Sequence, residues 1–91
     1  MIFNQFYIED AVADPRRGLV LIGSVTYGCI QVGMKCVNFL DREVRIAGIE
    51  VSNVSIESAT IGQKVTDLSL SGADGIEISL APGNTLRFAI Q

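Results

Sequence analysis

The sequence predicts an all-β fold: a small closed or nearly closed antiparallel β-barrel, formed by residues 1–91 as a single domain. Apolar and polar residues alternate in most segments, which is the periodicity of half-buried strands. Glycines and other turn-forming residues separate these segments at short intervals, as in small barrels. A helical period is not sustained over any ten residues. We therefore expect about six to eight strands with little or no helix.

The stretch from Gly18 to Gly33 is expected to fold as a strand, a tight turn and the start of a second strand. Residues 19–26 are rich in β-branched and aliphatic side chains, which suit a pleated, buried surface. Gly23 lies inside this strand, where a glycine usually marks a bulge, a bend or a close backbone approach. A small barrel needs such bends to close. Gly28 stands where the chain must reverse, because glycine adopts positive φ at little cost.

The other strands are predicted from the same alternation. An opening strand covers residues 2–13, with Phe6 and Ile8 on one face, and residues 58–62 are expected to turn the chain. The phase of the alternation slips at Ala47 and Gly48, which indicates a bulge. The remaining strands are expected at residues 34–40, 44–51, 65–70, 76–80 and 86–90, and residues 54–57 are expected to form a strand or an extended loop.

Composition and charge restrict the classes of partner. Hydrophobic residues make up 48% of the chain and the formal net charge is −3, which argues against disorder and against a typical nucleic-acid binder. No apolar run approaches the ~18 residues of a membrane helix. The first residues lack the basic region of a secretory signal, so a cytoplasmic location and no membrane partner are expected.

Residue types that most enzymes need are missing. The chain has no histidine, which removes the commonest general base and metal ligand. Cys29 and Cys36 are the only thiols, and two cysteines without histidine make a poor zinc site. We expect two free, mostly buried thiols, although their spacing across a turn also permits a disulfide. A phosphate-binding loop needs a Gly-Lys pair followed by Ser or Thr, and no such sequence follows the glycines here. The chain is therefore predicted to be no enzyme and to use no cofactor, metal or GTP.

Four stretches of the sequence follow one another in a recognisable order: Phe6-Tyr7-Ile8-Glu9-Asp10; Arg17-Gly18 with Gly23-x-Val25-x-x-Gly28-x-Ile30-x-Val32-Gly33; Gly48-Ile49-Glu50; and Ile61-Gly62-Gln63-Lys64-Val65 with Leu68, Leu70 and Gly72. Together they resemble the second domain of translational GTPases of the elongation factor Tu type, over roughly residues 6–83. The resemblance implies a β-barrel that stands alone here, without a GTPase domain. It also places Cys36 inward on its strand, whereas the alternation favours Val37 and Phe39; a bulge would reconcile the two.

The resemblance suggests function only indirectly. In the family this barrel does not hydrolyse GTP, and in elongation factors it helps to hold the 3′ end of aminoacyl-tRNA. Glu57 lies near the position of an acidic residue that contacts the terminal adenine in those relatives, although it also fits a plain surface glutamate. Arg16, Arg17 and Lys35 are the candidate cations for RNA or for another partner.

We therefore expect a non-catalytic module for protein interaction or assembly, with an RNA-binding accessory module related to translation as the alternative. The barrel is expected to form a homodimer or to bind another protein, because other domains cover part of it in the family. The surface expected to be available comprises Tyr27, Leu40, Leu80 and residues 86–90.

Overall fold

The computed structural model describes residues 3–16, 18–75 and 80–89, and every regular element in these residues longer than a single turn is a β-strand. The strands are β1 (Asn4–Asp14), β2 (Gly18–Tyr27), β3 (Cys29–Gln31), β4 (Lys35–Cys36), β5 (Val44–Val51), β6 (Val54–Ile56), β7 (Ser58–Thr60), β8 (Lys64–Ser71) and β9 (Thr85–Phe88). The prediction of an all-β chain is confirmed. The predicted strand at 76–80 lies outside the described residues except for Leu80, and so do Ile2, Arg17 and Ile90.

The strand pairing closes on itself, because the first and last strands of a six-stranded series are also hydrogen-bonded to each other. The sheet runs β4-β9-β1-β2-β8-β5, and a further pairing between β4 and β5 joins its two ends. All of these pairs are antiparallel. β6 extends the sheet beyond part of β5, while β3 and β7 form a separate two-stranded ladder. The result is an antiparallel ring of six strands.

The long β1–β2 hairpin carries the bend that the sequence predicts at Gly23. The pairing register shifts between Ile8 and Asp10 on β1, and again between Leu21 and Gly23 where β2 meets β8. A Cβ atom added to Gly23 would lie 1.9 Å from the carbonyl oxygen of Tyr7. Glycine is therefore required here by the close approach of two backbones. The bulge predicted on β5 is also present, since the register shifts between Ile46 and Gly48.

Side chains that point into the ring form one apolar core. Phe6 and Ile8 are fully buried, as expected for the inner face of β1, and Leu86 and Phe88 are buried on β9. The core cluster comprises Phe6, Ile8, Leu21, Val25, Ile30, Met34, Cys36, Val44, Ile46, Ile49, Ala59, Val65, Leu68, Leu80, Leu86 and Phe88. These core residues come from strands on every side of the ring. The burial of apolar side chains therefore stabilises the same arrangement of strands as the hydrogen bonding does.

Two sequence-based boundaries are wrong. The strand expected at 34–40 is reduced to Lys35–Cys36, with Cys36 fully buried and Val37 and Phe39 half-buried. Cys36 therefore points inward, and the alternation that favoured Val37 and Phe39 as the core pair is wrong here. Residues 58–60 form β7 instead of a turn, because they pair with β3. The chain reverses after them, where the Gly62 N–H donates to the carbonyl of Val25 at 3.0 Å.

The prediction of the surface that mediates self-association is largely wrong as well, because several of its apolar side chains are buried. Leu80 has no exposed surface, and Leu86 and Phe88 belong to the core. β9 pairs with β1 on one side and β4 on the other, so it offers no open edge. Of the expected residues, Tyr27 (44% exposed) and Leu40 (95% exposed) are available to a partner.

Within the described part of the chain, no helix has the length and apolar character needed to cross a membrane.

Candidate interaction surface

The residues proposed from sequence as contacts lie on different elements. Arg16 is exposed in the turn between β1 and β2, Lys35 is exposed on β4, and Glu57 is exposed between β6 and β7. Arg17 lies outside the described residues. The structure therefore does not gather these residues into one site, and the surface has to be built from residues that the strand pairing brings together.

Three neighbouring strands present such a surface, which we call the tyrosine face and define as Gln5, Tyr7, Tyr27, Thr85 and Arg87. Gln5 pairs with Tyr27 on β2 and with Arg87 on β9, so these three residues form one row across the sheet. Tyr7 pairs with Ser24 and Thr85 and forms the next row. Because Phe6 points into the core, its neighbours Gln5 and Tyr7 point outward. Tyr7 is 40% exposed and Tyr27 is 44% exposed.

An open depression of about 580 Å³ adjoins this face. Its lining comprises Asn38, Phe39, Gly83, Asn84, Thr85 and Arg87. Asn38 determines the position of the β9 backbone along this depression. Its amide nitrogen donates to the carbonyl of Thr85 at 3.1 Å, and its amide oxygen accepts from the N–H of Arg87 at 2.7 Å. The side chain thus continues the pairing of β9 after β4 has ended at Cys36.

The tyrosine face has a surplus of positive charge. In the part of the chain that the structure describes, the guanidinium of Arg87 has no hydrogen-bonding or ionic partner. Lys35 lies on the adjacent strand, where its carbonyl accepts from the N–H of Ala89 at 2.9 Å. Lys35 and Arg45 are paired across β4 and β5, and one carboxylate, Glu43, interacts with both.

The carboxylate next to the face is already neutralised. The Ser24 hydroxyl donates to Glu9 at 2.9 Å, and the Lys64 ammonium lies 3.1 Å from its other carboxylate oxygen. The hydrogen bond from Ser24, together with the contribution of Lys64, lowers the pKa of Glu9. Glu9 therefore remains ionised but adds no net negative charge to this side of the molecule.

Carboxylates accumulate on another side of the ring. A depression of about 240 Å³ on β5, β6 and β8 is lined in part by Glu50, Glu57 and Asp67. Glu50 pairs with Asp67 across the two strands, and Asp67 is only 8% exposed. Among residues 3–16, 18–75 and 80–89, no cluster of three or more His, Cys, Asp or Glu residues is arranged to hold a metal ion. Glu57 thus belongs to an acidic surface on β5, β6 and β8, whereas the tyrosine face lies on β9, β1 and β2.

The two thiols occupy different environments. Both are free, so the structure contains no Cys29–Cys36 disulfide. Cys36 is buried, and desolvation raises the pKa of its thiol. Cys29 is exposed, which corrects the expectation that both thiols are mostly buried. Its neighbour Ile30 fills the core instead, since successive residues of a strand point to opposite sides.

Sequence reasoning missed Asn38 and Arg87, and it used Tyr7 only as part of a family motif. Arg87 is separated from Gln5 by most of the chain, and local alternation gives no sign that the two are neighbours. Asn38 was included in a longer expected strand. The signal that was available is the alternation at 85–88, which correctly turns Arg87 outward beside the buried Leu86 and Phe88.

Comparison with known proteins adds no family to this description: no protein-family model matches the chain, and no curated protein matches it significantly.

Proposed function

We propose that this protein is a non-catalytic module for protein interaction or assembly, with a β-barrel of the type found in the second domain of elongation factor Tu-like GTPases. The order of the four sequence motifs and the six-strand antiparallel ring support the choice of fold type. The GTPase activity of the family is not part of the proposal, because the sequence carries no phosphate-binding loop. Titration with GTP and magnesium is expected to give no binding heat.

The observation that carries the proposal is the tyrosine face. Tyrosine and arginine are enriched at the centres of protein interfaces, where they supply much of the binding energy. Here Tyr7, Tyr27 and Arg87 lie on three adjacent strands of one hydrogen-bonded sheet, with an open depression beside them. A preorganised surface of this kind loses little conformational entropy on binding, which favours association.

Site-specific crosslinking tests this function. A photoreactive phenylalanine analogue placed at Tyr7 should give a protein adduct when the chain is irradiated in its native cell extract. The matched control is the same analogue at Val54, which is 60% exposed on the β5–β6 hairpin and lies away from the face. Equal adducts at both positions, or none at Tyr7, would contradict a docking role for the face.

RNA binding is the alternative function, and the pairing of tyrosines with arginine on one sheet face is the observation that favours it. Aromatic rings on a sheet can stack with bases while cations contact phosphates. Against it stands the net charge of −3. A gel shift with tRNA or rRNA separates the two functions, since phosphate-driven binding must weaken steeply as salt increases.

Self-association is the simplest form of the proposal, and two-fold dimers are the commonest symmetric assemblies. Because Leu86 and Phe88 of the C-terminal strand are buried, the homodimer would use exposed apolar side chains such as those of the tyrosine face or Leu40. Light scattering after size exclusion should then give twice the 9.8 kDa of one chain. A mass near 9.8 kDa at every micromolar concentration and salt tested would reject the homodimer.

A further inference from the structure

We propose that the tyrosine face binds an extended, acidic segment of a partner protein, with a carboxylate of that segment paired to the guanidinium of Arg87. This inference rests on the proposed function and specifies the chemistry of the partner. A carboxylate accepts two parallel hydrogen bonds from a guanidinium, which is the strongest common ion pair in proteins. Within the described residues the guanidinium of Arg87 has no such partner, and Arg87 lines the depression of about 580 Å³ beside the face.

The distribution of charged side chains around the ring favours an acidic partner at the tyrosine face. The carboxylates Glu50, Glu57 and Asp67 line the depression on β5, β6 and β8, whereas Arg87 and Lys35 lie on β9 and β4. Among the residues that the structure describes, the lining of the depression beside Arg87 includes no carboxylate. An acidic protein therefore presents a locally cationic surface, and complementary charge across an interface determines specificity and accelerates association.

The distance between Arg87 and Tyr27 on the tyrosine face matches the length of a short extended peptide. Arg87, Gln5 and Tyr27 stand on three successive strands, which are about 4.8 Å apart, so Arg87 and Tyr27 are separated by roughly 10 Å. An extended chain advances about 3.3 Å per residue and spans this distance in about three residues. The partner should thus carry an acidic residue and, about three positions away, an apolar or aromatic residue that packs on Tyr27 and Tyr7.

Charge also argues against the two other occupants. A two-fold contact of this face with a second copy would bring two Arg87 side chains into the interface without a carboxylate from the face, and uncompensated like charge in an interface is costly. A nucleic acid requires several phosphate contacts for useful affinity. Among the described residues, the tyrosine face and its neighbouring strand offer two cations, Arg87 and Lys35.

The experiment is a selection from a random dodecapeptide library on the immobilised full chain, followed by fluorescence anisotropy with the recovered peptides. We expect Asp and Glu to be enriched among them, with an apolar residue about three positions from the acidic one. R87Q should weaken binding by about tenfold or more, as expected for loss of a hydrogen bond to a charged group. The matched control R16Q removes an exposed arginine in the β1–β2 turn and should leave the affinity unchanged. Unchanged denaturation midpoints establish that both variants fold.

Several outcomes would overturn the inference: peptides without acidic enrichment, no recovered peptide, or equal effects of R87Q and R16Q. A single-stranded oligonucleotide that binds more tightly than the best peptide and competes with it would assign the face to nucleic acid instead. Dimers abolished by R87Q would assign it to a second copy. If crosslinking at Tyr7 captures a protein while no acidic peptide is selected, the proposed function stands and only the partner chemistry fails.

Discussion

Replacing Gly23 with alanine should destabilise the protein strongly, although it introduces a residue with better strand propensity. The φ angle of Gly23 is not in the positive region, so alanine is compatible with the backbone conformation. The obstacle is steric. The new Cβ would lie 1.9 Å from the carbonyl oxygen of Tyr7 and 2.8 Å from Cζ of Phe6, whereas real Cβ contacts are essentially never below 3.0 Å.

The size of the effect follows from the movement required. β1 and β2 must separate by at least about 1 Å at this point, which stretches the hydrogen bonds between them beyond useful length. Each lost hydrogen bond costs about 0.5–1.5 kcal/mol, and displacing the buried ring of Phe6 adds about 1–3 kcal/mol of overpacking. We expect a total loss of about 2–4 kcal/mol, which lowers the urea midpoint by about 1–3 M. Gly23→Val should cost at least as much.

Gly48 provides the matched control for urea denaturation followed by circular dichroism. It also lies in a strand beside a bulge, but a Cβ added there meets only the movable hydroxyl of Ser69 at 3.1 Å. Gly48→Ala should therefore change stability by less than about 1 kcal/mol. If Gly23→Ala raises the midpoint, or lowers it no more than Gly48→Ala does, the close approach of β1 to Gly23 is refuted.

Three further predictions concern the thiols, the Asn38 contact and the last strand. Iodoacetamide should modify Cys29 in the native protein but Cys36 only after unfolding, because burial both blocks Cys36 and raises the pKa of its thiol; equal labelling in mass spectra would contradict this. Asn38→Ala removes two hydrogen bonds to β9 and should cost about 1 kcal/mol in urea denaturation while accelerating amide exchange at Arg87; unchanged exchange would show that Asn38 does not hold that strand. Truncation after Gly83 removes the fully buried Phe88 and should abolish cooperative unfolding; a truncated chain that still unfolds cooperatively would show that β9 is dispensable.

Local sequence was sufficient for much of the fold. Alternation identified the inner residues Phe6 and Ile8 on β1, because a strand that borders a core must alternate. The same alternation is present on β9, but its residues were assigned to an available surface, whereas Leu86 and Phe88 are buried. The phase slip at Ala47 and Gly48 located a real bulge, and the glycine inside β2 marked a real close approach. Each of these features leaves its trace within a few residues, so sequence alone could determine it.

The composition of the exposed surface could be established only from the tertiary structure. Residues 58–60 have turn-like composition but form β7, because β3 supplies hydrogen-bonding partners from elsewhere in the chain. Leu80 appeared available to a partner, yet it fills the core. Arg87 and Tyr27 lie in one row across the sheet only because β1 stands between β9 and β2 with Gln5 paired to both.

The sequence by itself therefore determined the class of fold, the inward residues of β1 and the position of the tight bend, since these follow from short-range sterics and burial. Tertiary structure decided which cations lack a carboxylate, which apolar side chains remain exposed and which strand edges are covered. Those properties depend on pairings between strands that are distant in sequence. Local propensity does not specify them, because the same alternating strand can pair with any complementary edge.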